Sequence, residues 1–202
     1  MLGDLPQWDL NDLYASISDN RLSSDKIEIE ELTESFINKY QNKIATLSSE
    51  NLNEAIRDYQ TINQKLGKLY SYVSLTFSIN TDKPDFGKKY QEIRELGSII
   101  FSKLVFFELE IMNLDDKTSK KYLSDNNLSY WKPWLRKIFQ RKPFQLSNDL
   151  EQFIAEKGPS GRGAWVRLFD ESSSDLRFKI KGDTLSETEI LNLLSDPDPD
   201  LR

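Results

Sequence analysis

The chain contains no histidine and no cysteine. Without histidine there is no Ser-His-Asp triad, no Cys-His pair and no imidazole proton shuttle. Without cysteine there are no disulfides and no thiolate metal sites, which fits a reducing, cytoplasmic setting. The two commonest zinc-ligand types are both missing, so only carboxylates remain for a metal. Long apolar runs are lacking too: none approaches the roughly 20 residues needed to span a bilayer. The opening "MLGDLPQWDL" has neither a basic nor an apolar leader region. A basic excess is also absent. The net charge of −6 argues against nucleic acid as a bulk partner, because phosphate neutralisation supplies most of that affinity.

What is present is a foldable composition: 38% hydrophobic, 30% charged and 11% aromatic residues, too many aromatics for a disordered chain. The pattern is helical almost throughout. After a lead-in over 1–20, expected to dock by its aromatics, Leu32, Phe36, Tyr40 and Ile44 recur every four residues and predict a helix from about Asp25 to Leu47. Ser48 and Ser49 offer caps for a second helix reaching about Phe77. Pro84 opens a third that runs to about Met112. Three long helices with short connections fold back as an antiparallel bundle. The expected fold is mainly α, with a long-helix bundle over 21–114 and shorter helices over 115–202. Leu176, Phe178 and Ile180 alternate with Arg177, Lys179 and Lys181, predicting a small hairpin or strand near 175–185. Ser186 and Glu189 have capping-box spacing. Asp196 and Pro197 read as the start of a further helix, so a longer protein is expected beyond Arg202.

Four stretches invite a functional reading. In "EKGPSGRGAWVRLFDE", residues 156–171, Gly158 and Gly163 have phosphate-loop spacing, but Ala164 and Trp165 stand where Lys and Ser or Thr belong. The preceding "LEQFIAEK" reads as a helix rather than the required strand. A helix stop, a glycine-bearing loop and a helix start fit better, with Ala164, Trp165, Leu168 and Phe169 packing the second helix into a wall. In "YWKPWLRKIFQRKPF", residues 130–144, basic residues interleave with aromatics, as in surfaces that stack bases or sit on acidic surfaces. Trp131, Trp134, Leu135, Ile138 and Phe139 nevertheless share one helical face, which describes core packing under a solvated cationic side. "DPDPD" lacks the glycine and glutamate of a calcium loop. Ser172, Ser173 and Ser174 have no identifiable base, and no carboxylate pair can be singled out by spacing.

The block over 142–178 resembles the N-terminal region of oligoendopeptidase F, of the thimet-oligopeptidase-like zinc metallopeptidases. The resemblance rests on Lys142, Pro143, Phe144, Leu146 and Ser147, on Leu150 and Glu151, and on Ala164, Trp165, Leu168, Phe169, Asp170 and Glu171. "LPQWDLNDLY" at the start and "EILNLLSDPDPDLR" at the end are similar to that family as well. The resemblance implies a mostly helical wall of a channel that admits short peptides, zinc in the full-length enzyme, and a C-terminal catalytic portion as partner. That family's zinc site is a His-Glu-x-x-His helix with a distal Glu. With no histidine, no catalytic, metal or cofactor residue carries over to any position here, and the chain alone is expected to be inactive. A stand-alone helical interaction module is the alternative; nucleic-acid or acidic-surface binding through 130–144 is a weaker one.

Overall fold

A computed structural model describes residues 9–144, 146–200 and 202. The chain divides into two units, Met1–Glu156 and Lys157–Arg202.

The first unit is built on three long helices that pack against one another: α1 (Asn20–Tyr40), α2 (Ser49–Ser78) and α3 (Pro84–Met112). Helix α1 starts five residues before the expected position. Asp19 is the reason: its carboxylate accepts the Arg21 backbone N–H at 2.9 Å and caps the helix there. The helix also ends sooner than expected, at Tyr40 rather than Leu47. Asn42 adopts a left-handed conformation (φ 62°), which breaks the helical run. The Glu110 carboxylate on α3 accepts the freed backbone N–H groups of Asn42 at 2.7 Å and Ile44 at 3.3 Å. A 3-10 turn, Ile44–Thr46, then buries Ile44 in the core although α1 has ended.

Helix α2 is capped by Ser48, whose hydroxyl accepts the Asn51 N–H at 3.2 Å. Pro84 opens α3, where its missing N–H costs nothing. Leu52, Ile56, Ile62, Leu66, Leu69 and Val73 from α2 meet Ile93, Leu96, Ile100, Leu104 and Phe107 from α3 in one continuous core. Each such fully buried side chain contributes about 1.5–3 kcal/mol relative to exposure. The lead-in docks through Tyr14, whose ring lies edge-on to Tyr72 at 5.0 Å and whose hydroxyl donates to Asp25 at 2.7 Å. Trp8, expected to help in that docking, lies outside the described residues.

Two shorter helices close the core: α4 (Asp116–Ser124) and α5 (Lys132–Arg141). Buried Tyr122 of α4 donates to the Leu47 carbonyl at 2.8 Å. Leu135 and Ile138 of α5 are buried, and Trp131, Trp134 and Phe139 pack beside them, as the helical face predicts. The Trp131 indole N–H donates to the Asn53 side-chain carbonyl at 2.8 Å. Helix α6 (Asn148–Lys157) follows.

The second unit begins with α7 (Arg162–Asp175). Strands β1 (Phe178–Ile180) and β2 (Asp183–Leu185) form an antiparallel hairpin, pairing Phe178 with Leu185 and Ile180 with Asp183. Lys181 (φ 50°) and Gly182 (φ 99°) make its two-residue turn, and positive φ at both positions suits the right-handed twist of the strands. Helix α8 (Glu187–Asn192) carries the expected capping box of Ser186 and Glu189. After α8, the Asp196 carboxylate accepts the Asp198 N–H at 2.8 Å, the bond an N-cap residue makes, and residues 197–200 are described as bends and turns.

Candidate functional site

Two N–H groups of the glycine loop are bonded within its own backbone. Helix α6 stops at Lys157, whose carbonyl accepts the Gly161 N–H at 2.7 Å. The Gly158 carbonyl accepts the Gly163 N–H at 3.0 Å. Two donors that a phosphate would need are thus already bonded, and a helix precedes the loop where a nucleotide site needs a strand. A Cβ on Gly161 would sit 2.8 Å from the Lys157 carbonyl oxygen, so this position serves a close backbone approach.

Helix α7 departs from expectation. Trp165 is 73% exposed, Phe169 70% and Leu168 53%, and no described residue of α7 is buried. Among the described residues, the apolar stripe read from the sequence is therefore present as an open face. Periodicity reports that a helix has an apolar side; it does not report which surface covers it.

In the first unit, α6 is similarly uncovered: Leu150, Phe153 and Ile154 stay about half exposed. Its C-terminal turn is held to α3 by Ser98, which donates to the Ala155 carbonyl, and Ser102, which donates to Glu156, both at 3.1 Å. Between α3 and α6 lies a groove of about 300 Å³. Phe101, Val105, Met112 and Ile154 give it apolar walls, and Tyr59 and Glu108 line it alongside Arg141. Arg141 and Glu108 pair at 3.1 Å. Burial, then the Glu108 charge, holds the Tyr59 phenol above its ordinary range and therefore neutral. The groove and the α6 face suit an aliphatic or aromatic side chain of a polypeptide. They present no activated nucleophile.

The stretch over 130–144 divides as the helical wheel predicts. Trp131, Trp134 and Phe139 lie against the core, whereas Tyr130 and Phe144 are exposed. The DPDPD carboxylates of Asp196 and Asp198 accept backbone N–H groups of their own turn. Among the described residues, no group of three or more His, Cys, Asp or Glu is placed to hold a metal ion, and the sequence supplies no histidine. The side chains here do not fit the zinc that the resemblance implies for a complete enzyme. Among the described residues no helix is long and apolar enough to cross a membrane.

Comparison with known proteins agrees with the fold. The family model described as Oligopeptidase F matches residues 110–178. An oligoendopeptidase F homolog of Borreliella burgdorferi is 26% identical over 153 residues, covering 76% of this chain and 25% of the relative. The crystal structure of oligoendopeptidase-F from Enterococcus faecium superposes with a TM-score of 0.76 at 18% identity, covering 90% of this chain and 36% of that one. The chain thus spans about a quarter of its curated relative and about a third of the solved structure. In sequence over residues 110–178, and in fold over nine-tenths of its length, it resembles the N-terminal region of oligoendopeptidase F.

Proposed function

We propose that this chain is the N-terminal helical portion of a zinc-dependent oligoendopeptidase that cleaves short peptides in the cytoplasm. Its part is that of scaffold and channel wall, and the chemistry lies with a C-terminal catalytic portion. The carrying observation is the superposition on oligoendopeptidase-F, in which nine-tenths of this chain accounts for only 36% of that chain. The open apolar faces of α6 and α7 support the same reading, because contiguous exposed apolar surface marks places where polypeptide packs. Whether that surface meets the rest of an enzyme or a separate partner is the difference between this reading and a stand-alone interaction module.

Two measurements test it. The gene read past codon 202 is expected to encode a His-Glu-x-x-His helix, and a coding region without one overturns the proposal. A quenched fluorescent peptide incubated with this chain and added zinc is expected to stay intact, since the chain brings no ligand set for a catalytic metal. Zinc-dependent cleavage by the purified chain would refute the assignment of chemistry elsewhere.

A further inference from the structure

The stretch that interleaves basic and aromatic residues has a use that the peptidase reading does not require. Residues 117–142 include eight Lys and Arg and a single acidic residue, Asp125. That segment is net +7, so the rest of this −6 chain carries −13. Helices α4 and α5 pack against each other, and both bury their apolar sides in the same core. Their outer sides therefore lie next to one another. Lys117, Lys120 and Lys121 are exposed on α4, and Arg136 and Lys137 are exposed on α5. None of these five forms an ion pair with a described residue, whereas Lys26, Lys39, Lys65, Lys68 and Lys103 elsewhere in the unit all do. Tyr130, 77% exposed, lies in the 3-10 turn between the two helices, edge-on to Trp131 at 4.7 Å.

We propose that this face of α4 and α5 docks a short acidic segment of polypeptide. Charge complementarity favours an anion, and three observations favour a short peptide. Helices of 9 and 10 residues are about 14–15 Å long, the span of about five extended residues. A nucleic acid would run past that span onto a remainder that is net −13 and repels phosphate. Trp131, Trp134 and Phe139 are committed to the core and are not free to stack bases or enter a membrane interface. Tyr130 is left as the one exposed ring in residues 130–139, able to lie against the peptide backbone.

The test is a fluorescence anisotropy titration of the 202-residue chain with a labelled peptide of about six consecutive glutamates, at about 20 and 150 mM salt. Binding is expected at low salt and should weaken as salt screens it. Replacing Lys117, Lys121, Arg136 and Lys137 with Gln should weaken it about tenfold, in keeping with four exposed charge contacts. A control with Arg21, Lys83, Lys88 and Lys103 replaced by Gln loses the same net charge from α1, α3 and the α2–α3 link and should change binding less than about threefold. All eight positions are exposed, so both variants should retain the fold, checked by circular dichroism. No binding to the wild-type chain overturns the proposal. So does an equal loss in the control variant, equal binding of a Gly-Ser peptide, or displacement by single-stranded DNA or anionic vesicles at lower concentration than the acidic peptide.

Discussion

Replacing two aromatic residues with alanine separates the packed part of this chain from its open part. Phe107 is fully buried, with ring centroids 5.0 Å from Phe36, 5.0 Å from Tyr59 and 6.4 Å from Trp134. It joins α1, α2, α3 and α5 at one point. Truncating a buried Phe to Ala removes its transfer energy and leaves a cavity, a loss of about 3–5 kcal/mol. With a urea slope of about 2 kcal/mol per molar, a loss of about 4 kcal/mol lowers the unfolding midpoint by about 2 M. Trp165 is a larger ring, yet it is 73% exposed, and a surface change of this kind stays within about 0.5 kcal/mol. The urea midpoint after Trp165→Ala should therefore move by no more than about 0.25 M. Urea titrations followed by circular dichroism measure both. Because the chain divides into two units, Trp165→Ala is judged on every resolved transition and Phe107→Ala on the main one. The reasoning is refuted if Trp165→Ala approaches the effect of Phe107→Ala, or if Phe107→Ala moves the midpoint by less than about 0.5 M.

Two further outcomes follow from local geometry. Lys26 at 2.8 Å and Lys89 at 2.7 Å donate to the Glu92 carboxylate and hold its carboxyl below the usual range. A depressed folded pKa gives stability that is present above the unfolded value near 4 and is lost as pH falls through the folded value. The group is exposed enough for solvent to screen it, so Glu92→Gln should lower the neutral-pH urea midpoint slightly and flatten its fall at pH below the ordinary glutamate range; an unchanged acid profile would count against it. Gly161→Ala places a Cβ against the Lys157 carbonyl, and relief of that contact must loosen the bond to the Gly161 N–H. Hydrogen exchange at that amide should quicken and local stability fall by roughly 1–3 kcal/mol, while an amide as protected as in the parent would show that the loop absorbs the methyl freely.

Much of the helical frame is legible in the residues themselves. Ser48, Pro84 and the Ser186–Glu189 box mark helix starts because each chemically satisfies or removes an unpaired N–H. The end of α1 was hidden. Ile44 continues the four-residue spacing of Leu32, Phe36 and Tyr40, and it is indeed buried, but the chain delivers it through a left-handed Asn42 and a 3-10 turn. Glu110, 66 to 68 residues away, accepts the Asn42 and Ile44 N–H groups at that break, and no local window contains it. The cover of α7 was illegible for a related reason. The spacing of Trp165, Leu168 and Phe169 requires an apolar neighbour, and nothing in their own segment says where that neighbour is. The cationic side of α5 was visible in the sequence; its continuity with α4 needed the packing of the two helices.

The short link between α2 and α3 bears on how fast the molecule assembles. Only five residues, 79–83, separate two helices of 30 and 29 residues, so most of their shared core is reached by closing one small loop. Folding rates track such locality, and helical hairpins of this type form within microseconds to milliseconds. Helices α4 and α5 belong to a different time class. Their anchors to the first part of the chain, Tyr122 to Leu47 and Trp131 to Asn53, bridge 75 and 78 residues. Those contacts give little until the α2–α3 pair exists to receive them. By this locality argument, the bonds of Tyr122 to Leu47 and of Trp131 to Asn53 are expected to close after the α2–α3 pair has formed.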